Sequence, residues 1–255
     1  MRPAVIGHRG VAAEAPENSL VSLALALELG AEALELDVRR SRDGVLVVIH
    51  DPDLRRTSDR SGTVAALDLC EIQQADLSAA SDPHIPRWPV PLRVPTLEQV
   101  FERFLDVEIT VDVKDPAASQ DVVDLVARFD RTARTILYAE HGVDTRAFRE
   151  YAGRRATSVS QAARLARTPE WLEDAPERAV PEVVHTPLRS GDVPLVNREL
   201  VTRVHDSGRT IQVWTVDDVP TMEWLAECGV DGIITNDVRR AAARFASGDV
   251  TEEST

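Results

Sequence analysis

The feature that most constrains the fold is a regular alternation of short β-branched segments with longer amphipathic segments. Apart from one hairpin strand, the 255 residues hold eight such strand–helix units. The predicted strands are residues 4–7, 33–38, 109–113, 135–138, 156–158, 180–184, 210–214 and 232–235. Such alternation indicates a parallel sheet with crossover helices. Eight units in about 250 residues predict a closed (β/α)₈ TIM barrel. An open dinucleotide-binding sheet is disfavoured because no GxGxxG follows the first strand.

One segment interrupts the alternation after the second predicted strand. Asp43-Gly44 is a strong hairpin signal, so we expect the following strand to return antiparallel. Residues 51–95 are rich in Pro, Ser, Asp and Arg, which indicates a small insertion or cap. We therefore expect a single TIM-barrel domain over residues 1–246, followed by a disordered tail at 247–255.

Composition limits the classes of partner. Lys and Arg number 29 and Asp and Glu 43, a formal net charge of −14 that argues against a nucleic-acid or anionic membrane surface. The sequence shows neither a bilayer-spanning apolar run nor a signal h-region, so we expect a soluble cytoplasmic enzyme without stable membrane insertion. Cys70 and Cys228 form neither a disulfide framework nor a metal motif. GxSxG and P-loop signatures are also absent.

Acidic residues collect at the carboxyl ends of the predicted strands, where barrel active sites lie. Glu35 and Asp37 are two residues apart on one strand, so they point the same way. Two acids among aliphatic side chains are costly unless compensated, and a hard divalent cation such as Mg²⁺ or Ca²⁺ compensates them well. Asp112, from the next barrel strand, would be a third carboxylate. The alternative is a buried ionic network of these acids with Arg9 and Lys114.

Two histidines end segments at the same face: His8 on the first strand and His50 on the hairpin return. Imidazole titrates near neutral pH, so two beside a cation suggest a general acid and a general base. Arg9 offers a forked donor and Lys114, the only lysine, a compact charge; both suit a phosphoryl group. The other histidines, expected to be structural or on the surface, are His84, His205 and two near strand ends that could line a pocket, His141 and His185.

A series of motifs resembles the glycerophosphodiester phosphodiesterase family. The motifs are GHRG (7–10), APENSL (15–20), ELDV (35–38), SRDGVLVVIHDPDLRRTSDRSG (41–62), VPTLEQV (94–100), VDVKD (111–115) and VWTVDD…GVDGIITND (213–237). They stand in the family's order and span nearly the whole chain. The resemblance implies a TIM barrel with a small insertion after the HD pair. It also implies divalent-cation-dependent hydrolysis of a glycerophosphodiester, a small-molecule substrate, to sn-glycerol 3-phosphate and an alcohol.

Carried over to this chain, the resemblance implies specific roles. They are an acid/base pair (His8 and His50), three metal ligands (Glu35, Asp37 and Asp112), two phosphate contacts (Arg9 and Lys114) and a wall against the glycerol or alcohol moiety (Trp214). In the implied reaction one histidine deprotonates the vicinal hydroxyl of the glycerol, which attacks phosphorus, while the other protonates the leaving alcohol. Water then opens the cyclic phosphate. Because the first attack is intramolecular, proximity supplies much of the barrier reduction.

Three positions depart from the family pattern. Asp112 stands where the family usually has Glu, one methylene longer, so its ligand contact could pass through water or the metal preference could change. Near the end, residues 235–238 read Thr-Asn-Asp-Val instead of TD-x-P, which affects the contacts after the last strand. Residues 138–141 lack the family's SF pair, so residues 139–195 give the least information on the substrate.

Two alternative functions stay open at the level of sequence. One is a lysophospholipid- or sphingolipid-directed phosphodiesterase of the same fold, which calls for an apolar entrance although aromatic residues make up only 4% of the chain. The other is a non-catalytic phosphate-binding barrel. That alternative predicts the loss of at least one central residue, and all of them are present: His8, His50, Glu35 and Asp37.

Overall fold

The computed structural model describes residues 2–140, 146–174 and 180–246. In chain order the strands are β1 (Ala4–His8), β2 (Ala33–Arg40), β3 (Leu46–Val48), β4 (Glu108–Val113), β5 (Thr135–Tyr138), β6 (Arg154–Arg155), β7 (Val183–Pro187), β8 (Arg189–Ser190), β9 (Val193–Pro194), β10 (Thr210–Trp214) and β11 (Gly232–Thr235). The helices are α1 (Leu20–Glu28), α2 (Leu69–Ile72), α3 (Leu97–Arg103), α4 (Ser119–Arg128), α5 (Arg146–Glu150), α6 (Val159–Arg167), α7 (Trp171–Asp174), α8 (Arg198–Asp206), α9 (Val219–Cys228) and α10 (Val238–Ala246).

Eight parallel strands form the barrel, in the order β6-β5-β4-β2-β1-β11-β10-β7. A parallel bridge between Ala156 and Val183 joins the two ends of this order. The predicted TIM barrel is therefore confirmed. Side chains of β2 alternate: Leu34 and Leu36 are fully buried in the apolar core, and Glu35 and Asp37 lie on the opposite face of the strand, toward the barrel interior.

Two predicted strand positions were wrong. The strand expected at 156–158 is β6, two residues earlier, and the strand expected at 180–184 is β7, three residues later. β6 consists of two arginines, which carry no β-branched signal; Arg155 is held there by Glu182, at 3.4 Å. β7 contains His185 and ends at a proline, so its apolar pattern is too short to locate it.

The hairpin was predicted correctly and places His50. β3 pairs antiparallel with the end of β2, with Val38 opposite Val48. Gly44 in the turn has a φ of +87°, which glycine adopts without steric cost. The chain then returns to the level of the acids, because the Ile49 N–H donates to the Asp37 carbonyl at 3.0 Å.

The segment expected to be an insertion has an apolar cluster of its own. It packs six of its side chains against Val47 and Ile49, namely Leu54, Val64, Ile72, Ala75, Leu77 and Val94. This cluster joins the segment to the barrel, which supports a single domain over residues 1–246; that assignment stays a prediction. The tail expected at 247–255 lies outside the described residues. Within the described chain, each helix is too short or too polar to cross a membrane.

Candidate active site

A pocket opens at the carboxyl ends of the barrel strands. Its lining consists of His8, Arg9, Glu35, Asp37, Asp112, Lys114, Tyr138, Glu140, His185, Trp214 and Ile234. Seven of the eight site residues predicted from sequence are in that lining. The eighth, His50, lies outside it, at the end of the hairpin return.

Three buried carboxylates form the centre of the pocket. Asp37 and Asp112 are register partners on β2 and β4, and Glu35 precedes Asp37 on the same face. One oxygen from each of the three lies within 4.8 Å of the others. Their residues are 1%, 2% and 4% exposed for Asp37, Asp112 and Glu35. The shorter side chain of Asp112 still reaches the cluster, so oxygen ligands for one hard cation are brought together.

The positive side chains beside this cluster do not balance the charge of its three carboxylates. Burial, together with Asp37, raises the pKa of Glu35 well above its usual value. Burial also raises the pKa of Asp112, to about 6, although Lys114 opposes the shift. Burial alone would raise the pKa of Asp37, but Arg9 and Lys114 outweigh it and hold that pKa below its usual value. Three carboxylates therefore share two cationic side chains, and a divalent cation fits the remaining deficit.

Lys114 lies among the acids. Its Nζ is 2.5 Å from Asp112 Oδ2, 3.0 Å from Asp37 Oδ1 and 3.3 Å from Glu140 Oε2. Burial would lower the pKa of Lys114, but Asp37 and Asp112 raise it above the usual value, so the ammonium stays charged. The ionic network considered as an alternative is thus present, and it leaves Glu35 without a Lys or Arg side-chain partner in the described residues. His8 Nε2 lies 3.8 Å from Glu35 Oε2.

The GHRG turn places Arg9 over the acids. Arg9 Nε is 3.1 Å from Asp37 Oδ2, and its backbone N–H donates to Glu35 Oε2 at 3.2 Å. Arg9 itself has a φ of +53°. A Cβ on Gly10 would lie 2.4 Å from the Ser22 hydroxyl oxygen, so this close approach to α1 requires glycine. Gly10 therefore lets the turn that carries Arg9 pack directly against α1.

His8 has a defined tautomer. Its Nδ1 is 2.7 Å from Asn236 Oδ1. The amide orientation follows from Asp217, which accepts from Asn236 Nδ2 at 2.8 Å. Asn236 Oδ1 must then accept from His8 Nδ1–H, which leaves His8 Nε2 unprotonated and facing the pocket. Burial, reinforced by Arg9, lowers the pKa of His8 to about 4, consistent with a neutral ring. Asn236, one of the residues at which this chain departs from the family pattern, thus supplies the amide that orients His8.

His50 is oriented in a similar way. Its Nδ1 is 2.6 Å from Asp51 Oδ1, so its Nε2 is the free nitrogen. Arg39 Nε donates to the His50 carbonyl at 2.7 Å and fixes the backbone. Burial would raise the pKa of Asp51, but Arg56 and His50 lower it to about 2, so this carboxylate stays ionised.

An aromatic group covers the other side of the pocket. The rings of Tyr138 and His185 have centroids 4.2 Å apart, and the Trp214 ring lies 6.4 Å from Tyr138 and 5.9 Å from His185. The Tyr138 hydroxyl, both His185 ring nitrogens and Trp214 Nε1 are buried without a hydrogen-bond partner in the structure. Burial lowers the pKa of His185 to about 3, so its ring is neutral. Buried polar groups of this kind can form hydrogen bonds with a ligand or with water.

Sequence reasoning missed part of this group. His185 was expected to be structural, with pocket lining as the alternative; the structure places it in the lining. Tyr138 was singled out only as a departure from the family pattern, and the structure places it opposite Asp112 in the β4–β5 register. His84 and His205 are exposed, as expected. His141 lies outside the described residues.

Comparison with known proteins identifies the family. The model of the glycerophosphoryl diester phosphodiesterase family matches residues 8–240. The chain belongs to this family. By that membership it is a phosphoric diester hydrolase. A probable glycerophosphodiester phosphodiesterase 2 of Mycobacterium tuberculosis is 32% identical over 243 residues, which cover 91% of this chain and 86% of that protein.

Solved structures agree with this assignment. A putative glycerophosphoryl diester phosphodiesterase from Silicibacter pomeroyi is 25% identical, with a TM-score of 0.78 over 96% of this chain and 94% of that chain. An Oleispira antarctica phosphodiesterase, solved with the product sn-glycerol-3-phosphate, shares the fold at 21% identity, with a TM-score of 0.73 over 96% of this chain and 97% of that chain. The family resemblance inferred from the motifs is confirmed.

Proposed function

We propose that this chain hydrolyses glycerophosphodiesters to sn-glycerol 3-phosphate and an alcohol, with one bound Mg²⁺ or Ca²⁺ and with His8 and His50 as acid and base. The observation that carries the proposal is the cluster of Glu35, Asp37 and Asp112, whose charge the chain's own cations do not balance. The Oleispira antarctica enzyme of the same fold holds sn-glycerol-3-phosphate as its product, which supports the same product class here.

The three carboxylates would hold the cation. Their oxygens suit a hard divalent ion, and the raised pKa of Glu35 supports a charge that the cations of the described residues do not compensate. When bound, the cation supplies electrostatic stabilisation of the phosphoryl oxygens and of the attacking oxygen. In this proposal Arg9 and Lys114 provide the other positive charges toward the phosphate.

The two histidines would move the protons. Each donates its Nδ1–H to a fixed acceptor, Asn236 for His8 and Asp51 for His50, so each presents Nε2. In the proposed first step one of them takes the proton from the vicinal hydroxyl of the glycerol, and that oxygen attacks phosphorus. The other enters the step protonated at Nε2 as well, gives that proton to the leaving alcohol and becomes neutral. Water then opens the cyclic phosphate, with the same residues exchanging protons in reverse.

The aromatic group favours a glycerol moiety over a lipid chain. The polar atoms of Tyr138, His185 and Trp214 that lack partners in the structure would suit the hydroxyl groups of a small alcohol, whereas an acyl chain offers them no hydrogen bond. Large exposed apolar side chains of the described residues are Val90, Leu105 and Trp224, none of which lines the pocket. An apolar entrance for lysophospholipids or sphingolipids is therefore not supported. The non-catalytic alternative is disfavoured because His8, His50, Glu35 and Asp37 are all present.

A substrate panel tests the proposal. We expect the protein, with Mg²⁺ or Ca²⁺, to release sn-glycerol 3-phosphate from glycerophosphocholine and glycerophosphoethanolamine. An analogue built on propane-1,3-diol should react far more slowly, because it lacks the vicinal nucleophile. Coupled assay of the released glycerol phosphate measures both. Faster cleavage of lysophosphatidylcholine would support the lipid-directed alternative, and inertness toward every diester would support a non-catalytic barrel.

Replacing the single lysine tests the phosphate contacts. We expect Lys114→Arg to lower kcat/KM for glycerophosphocholine by about 10- to 100-fold. The Nζ contacts three carboxylates within 3.3 Å, and a planar guanidinium cannot replace that compact charge without moving them. Arg128→Lys, at a surface ion pair with Glu98, is the control for a charge-conserving exchange. Full activity of Lys114→Arg would show that the lone lysine is an accident of composition.

A further inference from the structure

Arg56 lies in the segment after the HD pair and outside the pocket lining, yet it joins two carboxylates from different motifs. Its Nε is 2.7 Å from Asp51 Oδ2, and its Nη2 is 3.2 Å from Asp51 Oδ1. Its Nη1 and Nη2 each lie 2.8 Å from an oxygen of Glu17. All three guanidinium nitrogens therefore donate, with two contacts to each carboxylate.

Both carboxylates lead to proposed site residues. Asp51 accepts from His50 Nδ1 at 2.6 Å. Glu17 accepts from Arg9 Nη1 at 2.9 Å. The Glu17 side chain is only 9% exposed, so its ion pairs are weakly screened by solvent. A continuous chain of charged hydrogen bonds thus runs from His50 to Arg9 through Arg56.

A general stabilising role for any arginine in this segment does not account for the geometry. Arg55, the preceding residue, has a side chain that is 78% exposed, and its ion pair with Asp53 is a long 3.9 Å. Arg56 is 32% exposed and makes four contacts of 3.2 Å or less. A comparison of Arg55 with Arg56 therefore distinguishes the effect of a positive charge in this segment from the effect of the bridge between the two carboxylates.

We propose that Arg56 is a positioning residue for the reaction. It holds the Asp51 carboxylate in the orientation that accepts His50 Nδ1–H, and it holds Glu17 against Arg9. Arg56 thereby fixes the position of His50, the proposed acid/base residue, relative to Arg9, the proposed phosphate contact. This inference rests on the proposed function, because it assumes that His50 transfers a proton.

The experiment compares Arg56→Gln, Arg56→Lys and the control Arg55→Gln. We expect Arg56→Gln to lower kcat for glycerophosphocholine by about 10²-fold, the effect of misplacing a reacting group by about 1 Å. Arg56→Lys, which keeps the charge but cannot hold both carboxylates by paired contacts, should recover only part of the loss. Arg55→Gln should keep the wild-type kcat, since its side chain points into solvent.

A second readout separates positioning from general stability. Long-range ¹H–¹⁵N spectra report which ring nitrogen of His50 carries the proton, with the signals assigned by their loss in His50→Gln. We expect the Nδ1–H tautomer in the wild type and in Arg55→Gln, and a mixture of tautomers in Arg56→Gln. An unchanged tautomer, or equal loss of kcat in the Arg55 and Arg56 variants, would overturn the inference. Full activity of His50→Gln would instead refute the acid/base assignment, while the tautomer measurement would still report the Arg56 bridge.

Discussion

His8→Ala and His50→Ala are each expected to lower kcat/KM for glycerophosphocholine by about 10²- to 10⁴-fold, the usual contribution of a positioned general acid or base. Each ring has its Nδ1 committed to a hydrogen bond and its Nε2 free, so removal of the ring removes the proton-transfer group. The two losses should not multiply in the double variant, because both protons move in one reaction sequence. Steady-state kinetics with saturating metal measures the effect.

The control for these variants is His205→Ala. His205 is exposed on α8, where its ring pairs with Asp231 at 3.0 Å, and it is not part of the pocket lining. Its replacement should leave kcat/KM unchanged. Circular dichroism and thermal unfolding establish that the inactive variants are folded. Turnover close to wild type in either His8→Ala or His50→Ala would refute the acid/base pair.

Chelation is the second change with a large expected effect. Excess EDTA should reduce turnover to the background rate, and added Mg²⁺ or Ca²⁺ should restore it. The physical reason is the charge deficit of Glu35, Asp37 and Asp112, which the chain's own cations do not meet. Comparison of rates restored by each ion identifies the preferred one. Full activity in excess EDTA would exclude a catalytic cation.

A direct measurement of metal binding tests the metal site independently of activity. Calorimetric titration of the chelated protein with each ion should show one site in the wild type and none in Asp37→Asn, which keeps the shape of the side chain but removes its charge. Asp121→Asn is a matched control, because Asp121 is half-exposed and pairs with Arg40 outside the pocket. A loss of binding in the control as well would contradict the assignment of the site.

The closed barrel could be predicted from sequence because its signal is repeated eight times along the chain. The position of β6 could not, because two arginines form that strand and pairing with its neighbours outweighs their weak strand propensity. β7 was displaced for a related reason. Its inward side chains include His185, which an apolar pattern does not count as strand.

Pocket residues were predictable from sequence where a residue type that is unfavourable to bury stands at the end of a strand. Glu35 and Asp37 in an otherwise aliphatic strand need compensation, which is visible without any contact. Asn236 and Tyr138 carry no such signal: an amide or a phenol is common near a sheet edge, and only the observed register shows what each faces. The bridge by Arg56 required the packing of three separate segments, so its role is a property of the tertiary structure.

The position of Lys114 has a consequence for the stability of the metal-free protein. Its ammonium already lies between Asp37 and Asp112, within 3.0 Å of each. An internal counter-ion of this kind limits the repulsion that would otherwise open an empty barrel. Metal-free protein should therefore keep its fold, and loss of the ion should be a reversible inactivation. We therefore expect the proposed need of a cation for chemistry to be separable, in this chain, from any need of a cation for folding.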